Sequence, residues 1–382
     1  MKRIIALTLA LALLLCGCGN QTQTPETTAA DAPSEAPTVT TAPTEPATEP
    51  VTEPATEPAP VYFNPLNGEI LDEPFTGRIF ANTISNIPDA IPHVGVNDAD
   101  ILMEMYVNGS IVRCLALFTD ISGVEAIGST RSTRLMFNDI AQHYDAILSH
   151  AGGSDQALGD ARDRGIDNFN IDAWVVASTG ASFRDEERDK SLGWEHCLMG
   201  IGSGIMAYAE SQGVNLTQPA DKDYCLTFTE DGTPADGETA EKITITLTYN
   251  QAKKETIMEY DPSLDKYVFN QYGAAMADGT TGEPEAFQNV IVMYTSIHMN
   301  GIYHEADFLA GGTGYFACGG KLVPITWTCD GDDVPFRFLT EDGEQLNLGM
   351  GNTYIAICTA ESPVVWEAAE PAAETVAETT AE

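Results

Sequence analysis

The stretch Leu102-Met-Glu-Met-Tyr-Val107, Asn108-Gly109, Ser110-Ile-Val-Arg-Cys-Leu-Ala116 has the pattern of two apolar strands joined by a tight turn. Asn-Gly between β-rich runs predicts a two-residue type I′ turn, which needs a positive φ at both central positions. With Asn108 and Gly109 in the loop, counting outward pairs Glu104 with Arg113. Apolar neighbours flank both charges, so the hairpin is predicted to be buried on both faces. A carboxylate and a guanidinium isolated there must satisfy each other or bind something else.

The first 18 residues have the form of a lipoprotein signal. Lys2 and Arg3 precede the apolar run from Ile4 to Leu15, and Leu15-Cys-Gly-Cys18 follows, with Cys18 as the lipidated residue. The apolar run is too short for a permanent transmembrane helix. We therefore expect a mature protein that acyl chains anchor to the outer face of the cytoplasmic membrane, facing the cell wall. An ordinary secretory signal cleaved near Gly19 is the alternative.

Two segments have the composition of disordered chain. Residues 19–60 are rich in Thr, Pro, Ala and Glu, contain no aromatic residue up to Pro60, and include a near-repeat of Thr-Glu-Pro from Thr44 to Pro58. Residues 361–382 form an acidic Ala/Glu/Thr tail. Such segments bury too little apolar surface to offset the entropy lost on ordering. We predict a disordered linker and a disordered tail.

The remaining residues divide into two predicted domains. In residues 61–218, the strand Asp145–Ser149 lies between a helical stretch from Leu135 to His143 and another from Asp155. This alternation predicts an α/β or α+β domain. We expect it to be the ligand-binding domain of the protein. In residues 219–360, apolar alternation broken by Gly and Asp predicts a mainly antiparallel β domain. Its strands are predicted at 242–249, 255–260, 266–269, 290–295, 322–329 and 354–358.

The charge of the chain limits its partners. The formal net charge is −39, so nucleic acid is not expected as a partner, because affinity for it depends on neutralising phosphates. Seven of the ten arginines nevertheless lie between Arg113 and Arg188, and no lysine occurs between Lys2 and Lys190. Arginine presents a rigid fork that matches carboxylates and phosphates. Some of these arginines balance nearby acids, but the pattern favours recognition of an anion.

Two motifs supply the candidate binding residues. Gly128-Ser-Thr-Arg131-Ser132-Thr-Arg134 leads into the helix at Leu135, and its two arginines are spaced to share one helical face near free N–H groups. His150-Ala-Gly152-Gly153-Ser154 follows a strand, where glycines let the backbone approach a ligand closely. A capped helix with a core histidine is the alternative for the second motif.

The sequence carries no recognisable cofactor or metal motif, so none is expected. His298, His304, Glu305 and Asp307 have a spacing that fits no familiar ligand set. Ser203 lies outside the G-x-S-x-G spacing of a nucleophile elbow. Beyond Cys18, the mature chain has six cysteines without a C-x-x-C, and disulfides and buried free thiols both remain open.

The order of these motifs resembles that of the YerB-like lipoproteins, a family of unknown function with an N-terminal and a C-terminal domain behind a lipoprotein signal. The resemblance rests on Asp98-Ala-Asp-Ile101 with Glu104, Arg113-Cys-Leu-Ala-Leu-Phe118, Gly128 to Arg134, Tyr144-Asp-Ala146, His150 to Ser154, Arg184 with Arg188, and Glu195-His-Cys-Leu198. Ser129-Thr130 and Glu195-His-Cys197 depart from the family's pattern. The resemblance implies the domain organisation and the location, and no established activity.

Three functions fit these observations. The first is binding of an anionic cell-envelope ligand, such as peptidoglycan or teichoic acid, and its candidate residues are Glu104, Arg113, Arg131, Ser132, Arg134, His150, Gly152, Gly153, Ser154 and Arg184. The second is a cell-wall hydrolase or lytic transglycosylase with Glu104 as general acid. A neighbouring guanidinium lowers a carboxyl pKa, whereas a general acid needs a raised one, so binding is favoured. The third is a scaffold that docks other envelope proteins.

Overall fold

The computed structural model describes residues 60–219 and 221–368. The predicted lipoprotein signal with Cys18, the predicted linker up to residue 59 and the tail from residue 369 lie outside the described residues. No helix within the described ranges is long and apolar enough to cross a membrane.

The secondary structure is mostly strands with some helices. The strands are β1 (Tyr62–Phe63), β2 (Ile70–Leu71), β3 (Phe80–Ser85), β4 (Ile101–Asn108), β5 (Ile111–Phe118), β6 (Ile127–Gly128), β7 (Ile147–His150), β8 (Asn168–Asn170), β9 (Ser182–Arg184), β10 (Leu198–Gly200), β11 (Thr227–Thr229), β12 (Glu238–Thr239), β13 (Lys242–Tyr249), β14 (Ala252–Asp261), β15 (Lys266–Gln271), β16 (Ala274–Ala275), β17 (Ala286–Phe287), β18 (Asn289–Tyr294), β19 (Ile297–Asn300), β20 (Tyr303–Ala306), β21 (Gly312–Cys318), β22 (Lys321–Thr328), β23 (Arg337–Thr340), β24 (Asn347–Gly349), β25 (Thr353–Cys358) and β26 (Val364–Glu367). The helices are α1 (Leu135–His143), α2 (Asp155–Arg164), α3 (Trp174–Val176), α4 (Glu186–Leu192) and α5 (Gly202–Ser211), with shorter helical turns at Pro88–Ala90, Ala177–Ala181, Trp194–His196 and Phe308–Ala310.

These elements confirm the predicted fold class: helices alternate with strands in the N-terminal half, and the C-terminal half is mainly antiparallel β. Strands from the two halves join in one large sheet, in the order β12-β22-β21-β18-β25-β4-β5-β3-β7-β8. The junction is the parallel pair β25 and β4. Strands β16, β15, β14, β13 and β26 form a second sheet.

The two faces of the hairpin β4–β5 lie in different hydrophobic cores. Leu102, Cys114 and Ala116 share one core with Ile245 and Phe269, so this face packs on the second sheet. On the opposite face, Met103 and Leu115 share a core with residues of α1, including Phe137 and Ile140. The prediction that both faces of the hairpin are buried is therefore confirmed.

The predicted register of the hairpin is wrong by one residue. Asn108 pairs with Ile111, so the loop is Gly109-Ser110, and an irregularity between Tyr106 and Asn108 leaves Val107 without a partner in the register. Glu104 consequently lies opposite Cys114, and Arg113 lies opposite Met105. Because successive side chains alternate between faces, Glu104 and Arg113 point to opposite sides of the sheet. They do not form the predicted pair.

The turn type is corrected as well. Gly109 has a φ of 53°, and neither Asn108 nor Ser110 has a positive φ. A type I′ turn needs two positive φ values, whereas a glycine alone at the first loop position is the pattern of a type II′ turn. The Asn-Gly signal thus located the hairpin but placed its loop one residue early.

The predicted C-terminal tail begins too early. Residues 364–367 form strand β26, which pairs antiparallel with the start of β13 and places Trp366 opposite Ile243. Val364, Val365 and Trp366 supply an apolar stretch that the acidic composition of residues 361–382 conceals.

The six cysteines of the described residues are Cys114, Cys197, Cys225, Cys318, Cys329 and Cys358, and all six are buried free thiols. Of the two possibilities that the sequence left open, the structure therefore shows unpaired thiols.

Candidate functional site

Two buried arginines without a carboxylate partner lie near the segment that leads into α1: Arg113 of β5 and Arg134, the N-cap of α1. Arg113 is 4% exposed and its Nη1 donates to the carbonyl oxygen of Ser132 at 2.6 Å. Arg134 is 8% exposed, its Nη1 donates to the carbonyl oxygen of Thr133 at 2.7 Å, and its Nε has no hydrogen-bond partner. Among the ion pairs of residues 60–219 and 221–368, none involves either guanidinium. Both cations are therefore buried without a compensating charge.

Arg131 completes a group that we call the arginine cluster: Arg113, Arg131 and Arg134. Its guanidinium donates to the carbonyl oxygen of Glu195 at 2.6 Å and to the carboxylate of the same residue at 3.2 Å. Glu195 is largely exposed, so water weakens that ion pair. Arg131 is thus the member of the cluster nearest to solvent, with 23% of its side chain exposed.

The positive charges of the cluster contribute to lowering the pKa values of its two buried members, Arg113 and Arg134. Burial lowers the pKa of Arg113 to about 9, and the positive charges of Arg134 and Arg131 contribute to that shift. Burial also lowers the pKa of Arg134, and Arg131 adds to this effect. Like charges held together in a buried place destabilise the charged forms of Arg113 and Arg134, and a bound anion would oppose this effect.

The backbone of residues 130–133 holds the cluster in place. The Arg131 N–H donates to the carbonyl of Thr83 in β3 at 3.1 Å, and the Arg131 carbonyl accepts from the Ala151 N–H at 2.9 Å. The segment is therefore extended between β3 and the loop after β7. Helix α1 begins only at Leu135, with Arg134 as its N-cap. The prediction that Arg131 and Arg134 share a helical face is wrong, because Arg131 precedes the helix.

The start of α1 adds a favourable field for an anion. Its N-cap residue makes no side-chain cap, and no acidic residue lies in its first turn. The positive end of the helix dipole therefore faces the region of Arg134 without a carboxylate to neutralise it.

Tyr303 supports the cluster from the C-terminal half. The Cζ atom of Arg134 lies 4.9 Å from the centroid of the Tyr303 ring, which is within the range of a cation–π interaction. Tyr303 is at the start of β20 and pairs with Asn108 at the end of β4. No sequence signal marks this residue, because the contact joins positions far apart in the chain.

A small cavity adjoins the cluster. It has a volume of about 190 Å³, and its lining includes Arg131, Ser132, Asp172, Arg184, Trp194 and Glu195. Arg184, a predicted site residue, pairs with Asp172 at 2.5 Å and lies 3.6 Å from the centroid of the Trp194 ring. Asp172 and Trp194, which also line the cavity, are not among the residues that the sequence predicted for the candidate site.

The predicted residues from His150 to Ser154 contact the cluster through backbone atoms, and several of their polar groups are engaged within the protein. Burial lowers the pKa of His150, whose Nε2 lies 3.0 Å from Oδ1 of Asn168 while its Nδ1 has no partner. The Gly152 N–H donates to the side chain of Asn170 at 3.0 Å. The Ser154 hydroxyl accepts from the Ala157 N–H as the N-cap of α2. The backbones of Gly153 and Thr133 form an isolated β-bridge.

Glu104 lies apart from the arginine cluster, on the other face of the sheet. Its carboxylate accepts from Nζ of Lys254 and Nδ2 of Asn86, each at 2.5 Å, and from the hydroxyl groups of Thr256 and Tyr354. The residue is fully buried. Its oxygens are satisfied and have no access to solvent, so the geometry gives no support to a general-acid role.

Two larger cavities among the described residues are lined mainly by paired arginines or by acidic residues, and Lys222 in the first of them donates to two backbone carbonyls. In a cavity of about 640 Å³, Arg78, Arg164 and Arg337 each pair with a carboxylate. Another of about 670 Å³ is bordered by acidic residues such as Asp231 and Asp342. No group of three or more His, Cys, Asp and Glu residues in the described ranges is arranged to hold a metal ion.

Two regions of the chain match one protein family. Residues 66–215 match "Protein of unknown function (DUF3048) N-terminal domain", and residues 245–355 match the C-terminal domain of the same family. The chain belongs to the DUF3048 family. The arginine cluster lies in the N-terminal match and Tyr303 in the C-terminal match, so both DUF3048 regions contribute to the candidate site.

Relatives support this membership and the fold. "Putative lipoprotein YerB" of Bacillus subtilis (strain 168) is 27% identical over 300 residues, which cover 77% of this chain and 85% of YerB. The crystal structure of the YerB protein from Bacillus subtilis matches with a TM-score of 0.65 at 22% identity, covering 79% of this chain and 99% of that chain. The resemblance to the YerB-like family is confirmed, and the DUF3048 chain shares the fold of YerB.

Proposed function

We propose that this DUF3048 protein is a lipid-anchored extracytoplasmic protein that binds an anionic ligand of the cell envelope through the arginine cluster. The observation that carries the proposal is the burial of Arg113 and Arg134 without a carboxylate partner. The ligand is a carboxylate of peptidoglycan or a phosphate of teichoic acid, both of which match the guanidinium fork.

Energetics favour a ligand over a purely structural role. Removing a cation from water costs several kcal/mol unless an opposite charge or a full set of hydrogen bonds compensates it. Arg113 and Arg134 each have a hydrogen bond to a backbone carbonyl, and Nε of Arg134 has none. Buried charges with incomplete compensation are typical of functional sites, where the protein gives up stability to keep a group ready for binding.

The location rests on the N-terminal sequence and on a relative. Leu15-Cys-Gly-Cys18 has the form of a lipoprotein signal, and the name of the YerB relative includes the word lipoprotein. A lipid on Cys18 would leave residues 19–60 as the tether between the membrane and the folded part. The ligand would then lie no farther from the membrane than the tether allows the folded part to reach.

A cell-wall sedimentation assay tests the proposal. The chain from residue 18 onward, carrying Cys18→Ser, is mixed with purified wall that either retains teichoic acid or has been stripped of it. We expect the wild-type protein to sediment with wall, and both Arg113→Gln and Arg134→Gln to lower the bound fraction at least tenfold. Arg162→Gln is the matched control, because Arg162 is exposed and pairs with Asp163.

The same assay separates the ligands and the alternative functions. Loss of binding on stripped wall identifies phosphate, whereas unchanged binding identifies the peptidoglycan carboxylates. Equal sedimentation of all variants would refute a role for the arginine cluster. Release of soluble sugar fragments that stops in Glu104→Gln would support the hydrolase instead.

A further inference from the structure

We infer that the anion is carried on a sugar ring, and that the ring occupies the 190 Å³ cavity beside the arginine cluster, against the indole of Trp194. This inference rests on the proposed function and names the class of ligand: a saccharide bearing a carboxylate or a phosphate. The volume is close to that of a single pyranose ring with its hydroxyl groups.

The cavity adjoins the cluster through the segment that carries Arg131. Arg131 and Ser132 line the cavity. The carbonyl of Ser132 also accepts the hydrogen bond from Arg113, and Arg131 is close enough to lower the pKa values of Arg113 and Arg134. A ligand in the cavity therefore lies directly against Arg131 and beside Ser132, whose carbonyl holds the Arg113 guanidinium.

Trp194 presents an aromatic ring that Arg184 holds in place and that is still exposed to solvent. Its side chain is 61% exposed, although large apolar side chains are usually buried. The guanidinium of Arg184 stacks on the ring, with its Cζ atom 3.6 Å from the ring centroid, and donates to the Trp194 carbonyl at 2.6 Å. The indole is therefore fixed in position while part of its surface remains free. The C–H face of a pyranose is apolar and packs well on such a ring.

The polar groups of the cavity suit hydroxyl groups. Arg131 and Arg184 supply donors, while the partly exposed carboxylates of Asp172 and Glu195 supply acceptors. A sugar hydroxyl is both donor and acceptor, so a ring with several hydroxyls can use both kinds. The two carboxylates repel a chain of phosphates more than a single anionic group, which disfavours a nucleoside di- or triphosphate as the occupant.

Calorimetric titration of the chain from residue 18 onward, carrying Cys18→Ser, tests the inference. The probes are N-acetylmuramic acid, glucose 6-phosphate, the neutral sugar N-acetylglucosamine, acetate, inorganic phosphate and AMP. We expect each acidic sugar to bind at least tenfold more tightly than the matching free anion and than the neutral sugar. The preferred acidic sugar, carboxylated or phosphorylated, identifies the source of the anion.

Variants of Trp194 separate the sugar from the anion. Trp194→Ala is expected to remove the tenfold difference in affinity between the acidic sugar and the matching free anion. It should change the affinity for free phosphate less than twofold. Trp194→Tyr keeps an aromatic ring and should retain most of this difference in affinity. Trp174→Ala is the control, because Trp174 is 83% exposed and is not among the residues that line the cavity.

Three outcomes overturn the inference. Equal binding of acidic sugars by wild type and Trp194→Ala, with phosphate binding abolished in Arg134→Gln, would refute the sugar inference and leave the proposed function standing. Tightest binding of AMP, lost in Trp194→Ala, would identify a nucleotide site. Absence of any binding of acidic sugars and free anions by the wild-type protein would refute both the inference and the proposed function.

Discussion

Glu104 and Lys254 form an ion pair inside the protein: Nζ of Lys254 lies 2.5 Å from Oε1 of Glu104, and the two side chains are 5% and 0% exposed. The pair joins β4 of the large sheet to β14 of the second sheet. Burial and the neighbouring Glu104 carboxylate raise the pKa of Tyr354 well above its usual value, so its hydroxyl remains a donor to Glu104. Glu104, which the sequence analysis gave as a possible general acid, thus links the two sheets.

Lys254→Met should destabilise the protein by about 3–5 kcal/mol, because it leaves the Glu104 carboxylate buried without its cation. Urea unfolding measures the loss. Adding Glu104→Gln to Lys254→Met should recover a large part of it, because the neutral amide no longer needs a cation and still offers an acceptor to its neighbours. Equal costs for the single and the double variant would contradict a buried ion pair.

Arg113 provides the comparison for that experiment. The sequence-derived register pairs Glu104 with Arg113, whereas in the structure they lie on opposite faces of the sheet. A double-mutant cycle between Glu104 and Arg113 should therefore give a coupling energy below about 0.5 kcal/mol. The cycle between Glu104 and Lys254 should give a clearly larger value.

The hairpin shows what a local pattern can and cannot determine. Alternating apolar runs around Asn108-Gly109 identify two strands, since turn chemistry and β propensity are local properties. The position of the loop depends on one unpaired residue, Val107, and nothing in the local sequence marks that irregularity. A shift of one residue in the register moves each side chain of a strand to the other face relative to its partner strand. The predicted hairpin is therefore correct, whereas the predicted Glu104–Arg113 pair is wrong.

Gly109→Ala should destabilise the protein by about 1–2 kcal/mol, because Gly109 has a positive φ of 53° that an L side chain rarely adopts. Asn108→Ala should cost less than about 0.5 kcal/mol, since Asn108 lacks a positive φ here. Thermal or urea unfolding of both variants checks the turn. Similar losses for the two substitutions would instead indicate the type I′ turn with Asn108 and Gly109 in the loop.

The candidate site was predictable to the extent that its chemistry is local. An arginine-rich, lysine-free stretch identified Arg113, Arg131, Arg134 and Arg184. Tyr303 and Trp194 were missed because their roles come from contacts made by the fold, and neither carries a distinctive sequence signal.

Arg113→Met should raise the stability of the ligand-free protein by about 1 kcal/mol or more, which corresponds to roughly 2–4 °C in melting temperature. The reason is that a buried, unpaired cation is replaced by an apolar side chain of similar length. Added sulfate should stabilise the wild-type protein, and the same substitution should remove most of that stabilisation. Arg162→Met is the control and should change stability by less than about 0.5 kcal/mol, since Arg162 is exposed. A lower melting temperature for Arg113→Met would show that the fold itself satisfies this cation.

Anion affinity should decrease at alkaline pH. Burial and the charges of Arg134 and Arg131 lower the pKa of Arg113 from 12.5 to about 9, so its positive charge is present at neutral pH and is lost as the pH rises through about 9. Sulfate is a suitable probe because its own charge is constant in this range. We expect constant affinity up to about pH 8 and an affinity about tenfold lower at pH 10, measured by calorimetry.

The stability of the ligand-free protein should change in the opposite direction over the same range. The pKa of Arg113 is lower in the folded than in the unfolded state, so the unfolded chain retains the proton to higher pH, and this group increases stability as the pH rises through about 9. Arg113→Met should remove both effects, leaving weak sulfate binding without the step between pH 8 and pH 10. A step that persists in this variant would have to come from another group, and constant wild-type affinity up to pH 10 would mean that Arg113 does not contact the anion.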